Sequence, residues 1–120
     1  HAVRPDTGQR VWYAPPAALK CGARSRSCNG ALLAAISVIP GVVFAGSFDG
    51  GVRAHSTKDG AVIWEFDTNR TFDTVNGVAA RGGSINGPGP VVAGGMLYIN
   101  SGYNSFGGRP GNVLLAFGVE

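Results

Sequence analysis

Charge is scarce in this chain: 14% of its 120 residues are Asp, Glu, Lys or Arg, against 44% apolar. A disordered segment needs the opposite balance and is excluded. Long apolar runs are also absent, the longest being broken by Ser37, Pro40 and Gly46, so no segment reaches the ~18 residues of a membrane-spanning helix. Basic residues exceed acidic ones only modestly, giving a net charge of +3. They are scattered, with Lys20, Arg24 and Arg26 as the one cluster, which argues against a nucleic-acid partner. The chain opens on His1 with neither an initiator Met nor a signal peptide, the expectation for a sequence that begins after processing or is cut from a longer one.

Cysteine is limited to Cys21 and Cys28, and histidine to His1 and His55. A disulfide across the short loop from Cys21 to Cys28 would remove roughly 2.5 kcal/mol of unfolded-state entropy in the chain-entropy model and implies an oxidising compartment. Free structural thiols are the alternative. A zinc site is disfavoured, because it wants four ligands and the histidines lie far away in sequence. No Cys-x-x-Cys-His haem-attachment motif occurs either.

What is plentiful is glycine, at 20 residues, with 7 prolines. These have no Gly-X-Y period and instead separate short apolar runs, as turns do in an all-β protein. A repeat is visible as well. Ala2-Val3-Arg4-Pro5-Asp6-Thr7-Gly8-Gln9-Arg10-Val11-Trp12 is echoed 52 residues later by Ala54-His55-Ser56-Thr57-Lys58-Asp59-Gly60-Ala61-Val62-Ile63-Trp64. Repeats of this length, built from short strands and Gly-rich turns, predict antiparallel four-stranded blades of a β-propeller.

One full set of strands reads as A (Ala31 to Ile39), B (Val42 to Ser47), C (Gly51 to Ser56) and D (Ala61 to Asp67). A second copy supplies A (Pro90 to Ala93), B (Met96 to Ser101) and C (Asn112 to Phe117). The start of the chain adds the end of a C strand and a D strand, Gln9 to Tyr13. The expectation is a partial propeller of about two blades: residues 1–13 end one blade, 31–67 form a complete blade, and 88–120 give three strands of the next. Gly8 and Gly60 suit tight C-to-D turns, and Trp12 and Trp64 follow at a fixed distance, placed to pack on a neighbouring blade.

In an up-and-down sheet the connections alternate between two ends. The long ones, Ala14 to Gly30, Thr68 to Gly87 and the enlarged B–C loop Gly102 to Gly111, all fall on one end. Long loops gathered on one side of a rigid scaffold mark a functional side.

The Trp-ended phrases resemble the signature of propellers that bind pyrroloquinoline quinone (PQQ), Ala-x-Asp-x-x-Thr-Gly-x-x-x-Trp. The first copy matches at Ala2, Thr7, Gly8 and Trp12 with Arg4 replacing the Asp; the second matches at Ala54, Gly60 and Trp64. Ile39 to Gly50, Val75 to Pro90, Asn100-Ser101-Gly102-Tyr103 and Gly111 to Phe117 are most similar to polyvinyl-alcohol-dehydrogenase-like quinoproteins, at the C-terminal end of that family. The resemblance implies a periplasmic or secreted PQQ-dependent alcohol dehydrogenase. Its chemistry would oxidise an alcohol to a carbonyl, with a bound Ca²⁺ polarising the quinone and a cytochrome c accepting electrons. The chain would be a C-terminal fragment, inactive alone.

Four residues are candidates for quinone contact: Arg81, Ser84 and Asn86, where a D–A loop enters an innermost strand, with Asn76 as a weaker one. Guanidinium and amide groups suit the carboxylates and carbonyl oxygens of PQQ, while Gly82-Gly83-Ser84 and Asn86-Gly87 read equally as turn chemistry. No catalytic base can be assigned; Asp73 lies on the loop side without a motif around it. Fold alone does not prove catalysis, so a non-enzymatic scaffold or binding module is the alternative. The partners expected are the missing blades of a parent propeller or other copies of this chain, joined head to tail.

Overall fold

The computed structural model describes residues 1–20 and 28–119. The described residues are all-β, with no α-helix. A first hairpin joins β1 (Ala2–Val3) to β2 (Arg10–Trp12). The next sheet is a four-stranded antiparallel meander of β3 (Ser37–Ile39), β4 (Val42–Gly46), β5 (Gly51–Ser56) and β6 (Val62–Asp67). A small hairpin, β7 (Thr71–Phe72) with β8 (Ala80–Arg81), lies within the long connection that was expected to be loop. The last sheet is three-stranded: β9 (Val91–Ala93), β10 (Met96–Ser101) and β11 (Val113–Gly118). These small antiparallel sheets are compatible with partial propeller blades.

The sequence repeat is a repeat of hydrogen bonds. Gly8 donates its N–H to the Arg4 carbonyl at 2.8 Å, and Gly60 donates to Ser56 at 2.9 Å. Arg4 donates to Gln9, and Ser56 to Ala61, both at 2.8 Å. Ala2 pairs with Trp12 and Ala54 with Trp64, and each ladder has an irregularity at the following residue, Val3 or His55. The two large sheets match in the same manner: Phe44 opposite Ala54 corresponds to Tyr98 opposite Ala116.

Trp12 lies on the C–D turn of the four-stranded sheet, its indole N–H donated to the Thr57 carbonyl at 2.8 Å. Gly60 makes that contact possible. Its φ is +76°, a conformation L side chains avoid, and a Cβ there would stand 2.5 Å from Trp12 Cε3. Trp64 reaches forward in a similar way, meeting Phe117 of β11 edge-on at 5.2 Å while lying parallel to Phe66 at 6.1 Å. Phe66 also meets Phe117, at 4.9 Å, and the Arg70 guanidinium sits 4.5 Å from its ring. This aromatic seam joins the two large sheets. Beneath it Val52, Ile85, Leu97, Ile99 and Ala34 form the buried cluster, flanked by Phe44 and Phe117. Ile85 comes from the connection between the sheets, not from either sheet, and is fully buried.

Strand A of the complete blade is a correction. Residues 31–39 were expected as one strand, but only Ser37–Ile39 joins the ladder. Ahead of it the chain leaves β4 and pairs with the connection instead: Ala34 bridges Gly87 in parallel, and Ala35 N–H reaches the Gly87 carbonyl at 3.0 Å. An apolar run cannot reveal which neighbour satisfies its backbone, and here the neighbour is another connection rather than a strand. The strand expected from Pro90 begins at Val91, since proline has no N–H for the ladder; the Pro90 carbonyl instead accepts the Ser37 hydroxyl.

Candidate functional site

The long connections meet around the tight turn Phe48-Asp49-Gly50. Asp49 is buried, and its carboxylate accepts the Ser47 hydroxyl, the Gly51 N–H at 3.0 Å and the Lys20 N–H at 2.9 Å. Arg53, also buried, lies 3.7 Å from Asp49, donates to the Ser47 hydroxyl at 3.1 Å and reaches the Ala18 carbonyl at 3.2 Å. The first long connection is therefore tied to this turn through Ala18 and Lys20. Burial opposes ionisation of Asp49. The hydrogen bonds from Ser47, Lys20 and Gly51, with the Arg53 charge, outweigh it and hold the carboxyl below its ordinary range. Glu65 completes the network at the rim, paired with Lys20 at 2.6 Å and Arg53 at 3.3 Å; the Lys20 bond is the main reason its carboxyl is held low. Sequence reasoning passed over Asp49 and Arg53. The turn was visible, but nothing in it distinguishes a buried ion pair from a solvated Asp-Gly turn.

The segment 82–86 threads between the loops. Gly82 N–H reaches Arg70, Ser84 N–H reaches Arg109 and Ile85 N–H reaches Ser47, at 2.9, 3.0 and 3.2 Å. The Ser84 carbonyl accepts from both Gly102 and Tyr103. A Cβ at Gly82 would strike the Thr68 carbonyl, and one at Gly83 the Arg109 carbonyl. These glycines serve close approach, not a turn, which corrects the turn reading for Gly82-Gly83. Asn86-Gly87 does contain a positive φ, +76° at Gly87. All three loop segments thus converge on one packed centre.

The four quinone candidates separate. Ser84 is fully buried; it donates its hydroxyl to the Phe48 carbonyl at 2.6 Å and accepts the Arg109 N–H at 2.8 Å. Asn86 is buried, with its amide directed at the Ser105 carbonyl at 3.4 Å. Asn76 organises its own turn, accepting from the Thr74 hydroxyl at 2.8 Å and the Val78 N–H at 3.2 Å. Arg81 alone is exposed with no side-chain partner among the described residues; its backbone is held by Asn112. Within the described residues these four side chains do not converge on one slot. Nor is there a group of three His, Cys, Asp or Glu side chains placed to hold a metal among the described residues. Asp73 is exposed in the turn between β7 and β8. No free cysteine occurs among the described residues. The expected Cys21–Cys28 pairing, with Arg24 and Arg26 of the basic cluster, lies outside them through Cys21.

Two concavities flank the packed centre. One of about 320 Å³ separates the first hairpin from the four-stranded sheet and is lined by Trp12, Tyr13, Ile36, Val43, Arg53 and His55 among others. The His55 ring is anchored by Nδ1 to the Gly60 carbonyl at 3.1 Å. The other, about 410 Å³, runs along the enlarged loop Gly102 to Gly111 and the ends of β10 and β11.

Comparison with known proteins gives this geometry a context. No family model matches the chain. A polyvinylalcohol dehydrogenase from Pseudomonas sp is 44% identical over 129 aligned positions, covering 100% of the chain. A second, from Sphingopyxis sp. (strain 113P3), is 43% identical over 125 positions and 95% of the chain. The chain resembles polyvinylalcohol dehydrogenases along its whole length. It spans about a fifth of those relatives, 20% of the first and 19% of the second. The polyvinylalcohol dehydrogenase likeness therefore extends across both large sheets, the first hairpin and the threaded segment, and the relatives carry much more chain besides.

Proposed function

We propose that the chain is a segment, of C-terminal position, of a polyvinylalcohol-dehydrogenase-like oxidoreductase, and that it is inactive by itself. The likeness at 43–44% identity over essentially all of the chain carries this reading. Oxidising a secondary alcohol to a ketone removes two electrons and two protons. PQQ is the two-electron acceptor the resemblance implies, with Ca²⁺ beside it and a cytochrome c as the onward acceptor. The packed threaded segment and the lack of a metal-ligand group among the described residues support a supporting role for this part. It would hold two neighbouring blades and present loops at a site whose quinone and calcium contacts come mostly from other blades. A periplasmic or secreted location, with Cys21 and Cys28 oxidised to a disulfide, belongs to the same reading.

The experiment is dye reduction by the intact protein that contains this segment, supplied with PQQ, Ca²⁺ and short polyvinyl alcohol or secondary alcohols. Reduction dependent on PQQ is expected, and none from the segment alone. Absence of any alcohol-dependent reduction by the intact protein favours a non-enzymatic scaffold. Mass spectrometry after alkylation without reductant checks the disulfide; two alkylated cysteines would remove it and the oxidising compartment with it.

A further inference from the structure

Three Asn-Gly pairs occur in the chain, at Asn29, Asn76 and Asn86, and the fold treats the last two in opposite ways. We infer that Asn76 is a site of spontaneous modification, its side-chain amide exchanged for a carboxylate through attack by the Gly77 backbone nitrogen, and that Asn86 is protected from the same reaction. Glycine permits such an attack because no side chain crowds its nitrogen. Local sequence does not separate the two pairs: Val75-Asn76-Gly77 and Ile85-Asn86-Gly87 each begin with a β-branched aliphatic residue.

Asn76 lies in the turn between β7 and β8 and is exposed. Its amide oxygen accepts the Val78 N–H at 3.2 Å, folding the side chain over the peptide that leads into Gly77. This sets the amide carbon beside the nitrogen that attacks it. The Gly77 N–H is held only by a 3.2 Å bond to the Thr74 carbonyl. The amide nitrogen that must leave has no partner among the described residues. These bonds all run within residues 74–78, so the turn takes its form without help from the rest of the protein.

Asn86 differs at each point. It is buried, its amide nitrogen donates to the Ser105 carbonyl at 3.4 Å, and Gly87 is fixed in the bridge to Ala34. Neither a swing of its side chain onto the Gly87 nitrogen nor entry of water occurs without local opening.

The reaction needs no oxidant or reductant, and its co-reactant is water. A bond forms between the Gly77 nitrogen and Asn76 Cγ, the Cγ–Nδ2 bond breaks, and ammonia departs with the Gly77 proton, leaving a cyclic imide. Water then opens the ring at either carbonyl. Attack at Cγ gives aspartate; attack at the main-chain carbonyl gives an isoaspartyl link that carries the backbone through Cγ. That link lengthens the turn and adds a charge near Asp73, in a hairpin whose Phe72 stacks on Phe66 at 6.4 Å.

The test incubates the intact protein in mildly alkaline buffer and follows both sites by peptide mapping, in the folded state and in urea. In urea Asn76 and Asn86 are expected to convert at like rates. In the fold Asn76 is expected to lead by about tenfold or more, because Asn86 reacts only through its opened state. Isoaspartate, which direct hydrolysis of the side chain does not give, is expected as the main product at Asn76. Equal rates at the two sites in the fold, or no conversion of Asn76, overturn the assignment. Aspartate without isoaspartate overturns the attack by Gly77.

Discussion

The indole N–H of Trp12 is donated to the carbonyl of Thr57, 45 positions away, at 2.8 Å. This bond fixes the first hairpin on the turn of the sheet that follows it, and it does so over a residue with no side chain. Gly60 sits under the six-membered ring of Trp12, in a conformation that also needs glycine. The phrase that repeats in the sequence is therefore a lock and its key. Its glycine is the seat for the tryptophan of the preceding copy, and its own tryptophan goes on to meet the next sheet at Phe117.

Gly8 and Gly60 offer a controlled comparison. Both have positive φ, +69° and +76°, but a Cβ at Gly8 would meet nothing within 4 Å. Gly8→Ala should cost about 1 kcal/mol of backbone strain alone. Gly60→Ala should cost about 2–3 kcal/mol, since the indole must also leave its seat and forfeit its hydrogen bond. Urea unfolding gives both values, and Trp12 emission in a Trp64→Phe background should move to longer wavelength in Gly60→Ala only. Equal costs would show that Trp12 docking contributes no stability.

Asp49 predicts how the fold responds to acid. Its carboxyl is held below the ordinary range, so the ionised form is favoured by folding. That stability is fully present above the unfolded value, near 4, and drains away as pH falls through the lower folded value. Asp49→Asn should flatten the loss of stability below about pH 4 while costing about 1–3 kcal/mol at neutral pH, because buried Arg53 then keeps only the part-exposed Glu65 as its counter-charge. Urea midpoints between pH 2 and pH 7 would reveal it, the range being set by the ordinary carboxylate value. An unchanged acid limb would mean that Asp49 is already protonated in the fold.

Ser84 and Arg81 were grouped by their place in the sequence, and the structure sets them on opposite sides of a line between support and surface. Ser84→Ala should destabilise by about 1–3 kcal/mol, leaving the Arg109 N–H without its acceptor. Arg81→Ala should stay within about 0.5 kcal/mol, as its guanidinium is exposed. Thermal melts of the two variants decide it. A neutral Ser84→Ala would return that hydroxyl to the list of groups free for a ligand.

Much of this was legible because strand, turn and repeat are local. The pairing of Ala54 with Trp64 follows from the Ala-to-Trp phrase and the turn at Gly60, and the copy at Ala2 and Trp12 repeats it down to the ladder irregularity. The offset between Ser47 and Ser101 likewise survives as matching ladder positions in two sheets. What escaped was everything decided by distant partners. Ala34 looks like strand and is claimed by Gly87; Gly82-Gly83 looks like a turn and is a passage between carbonyls. Asp49 looks solvated and is buried against Arg53. Of the quinone candidates, Ser84 and Asn86 are committed to the interior by burial, which composition cannot report.

Ile85 carries the last expectation, because it shows what the threaded segment does for the whole. Its side chain is fully buried among Val52, Leu97 and Ile99, so one residue from a connection fills the space between two sheets. Gly46, at the end of β4, lets it lie directly on the backbone, and a Cβ there would collide with it. Removing that plug should therefore weaken the joint between the sheets as well as the core. Ile85→Ala is expected to lose about 3–5 kcal/mol and Ile85→Val about 1 kcal/mol. Hydrogen exchange distinguishes the two consequences. Amides of the threaded segment, Gly82 to Ile85, should lose protection first, ahead of those inside β5 and β10, since their partners Arg70, Ser101, Arg109 and Ser47 sit on separate connections and strand ends that the cavity allows to part. If all these amides lose protection together, the two sheets unfold as one unit, and Ile85 is ordinary core rather than the piece that couples them.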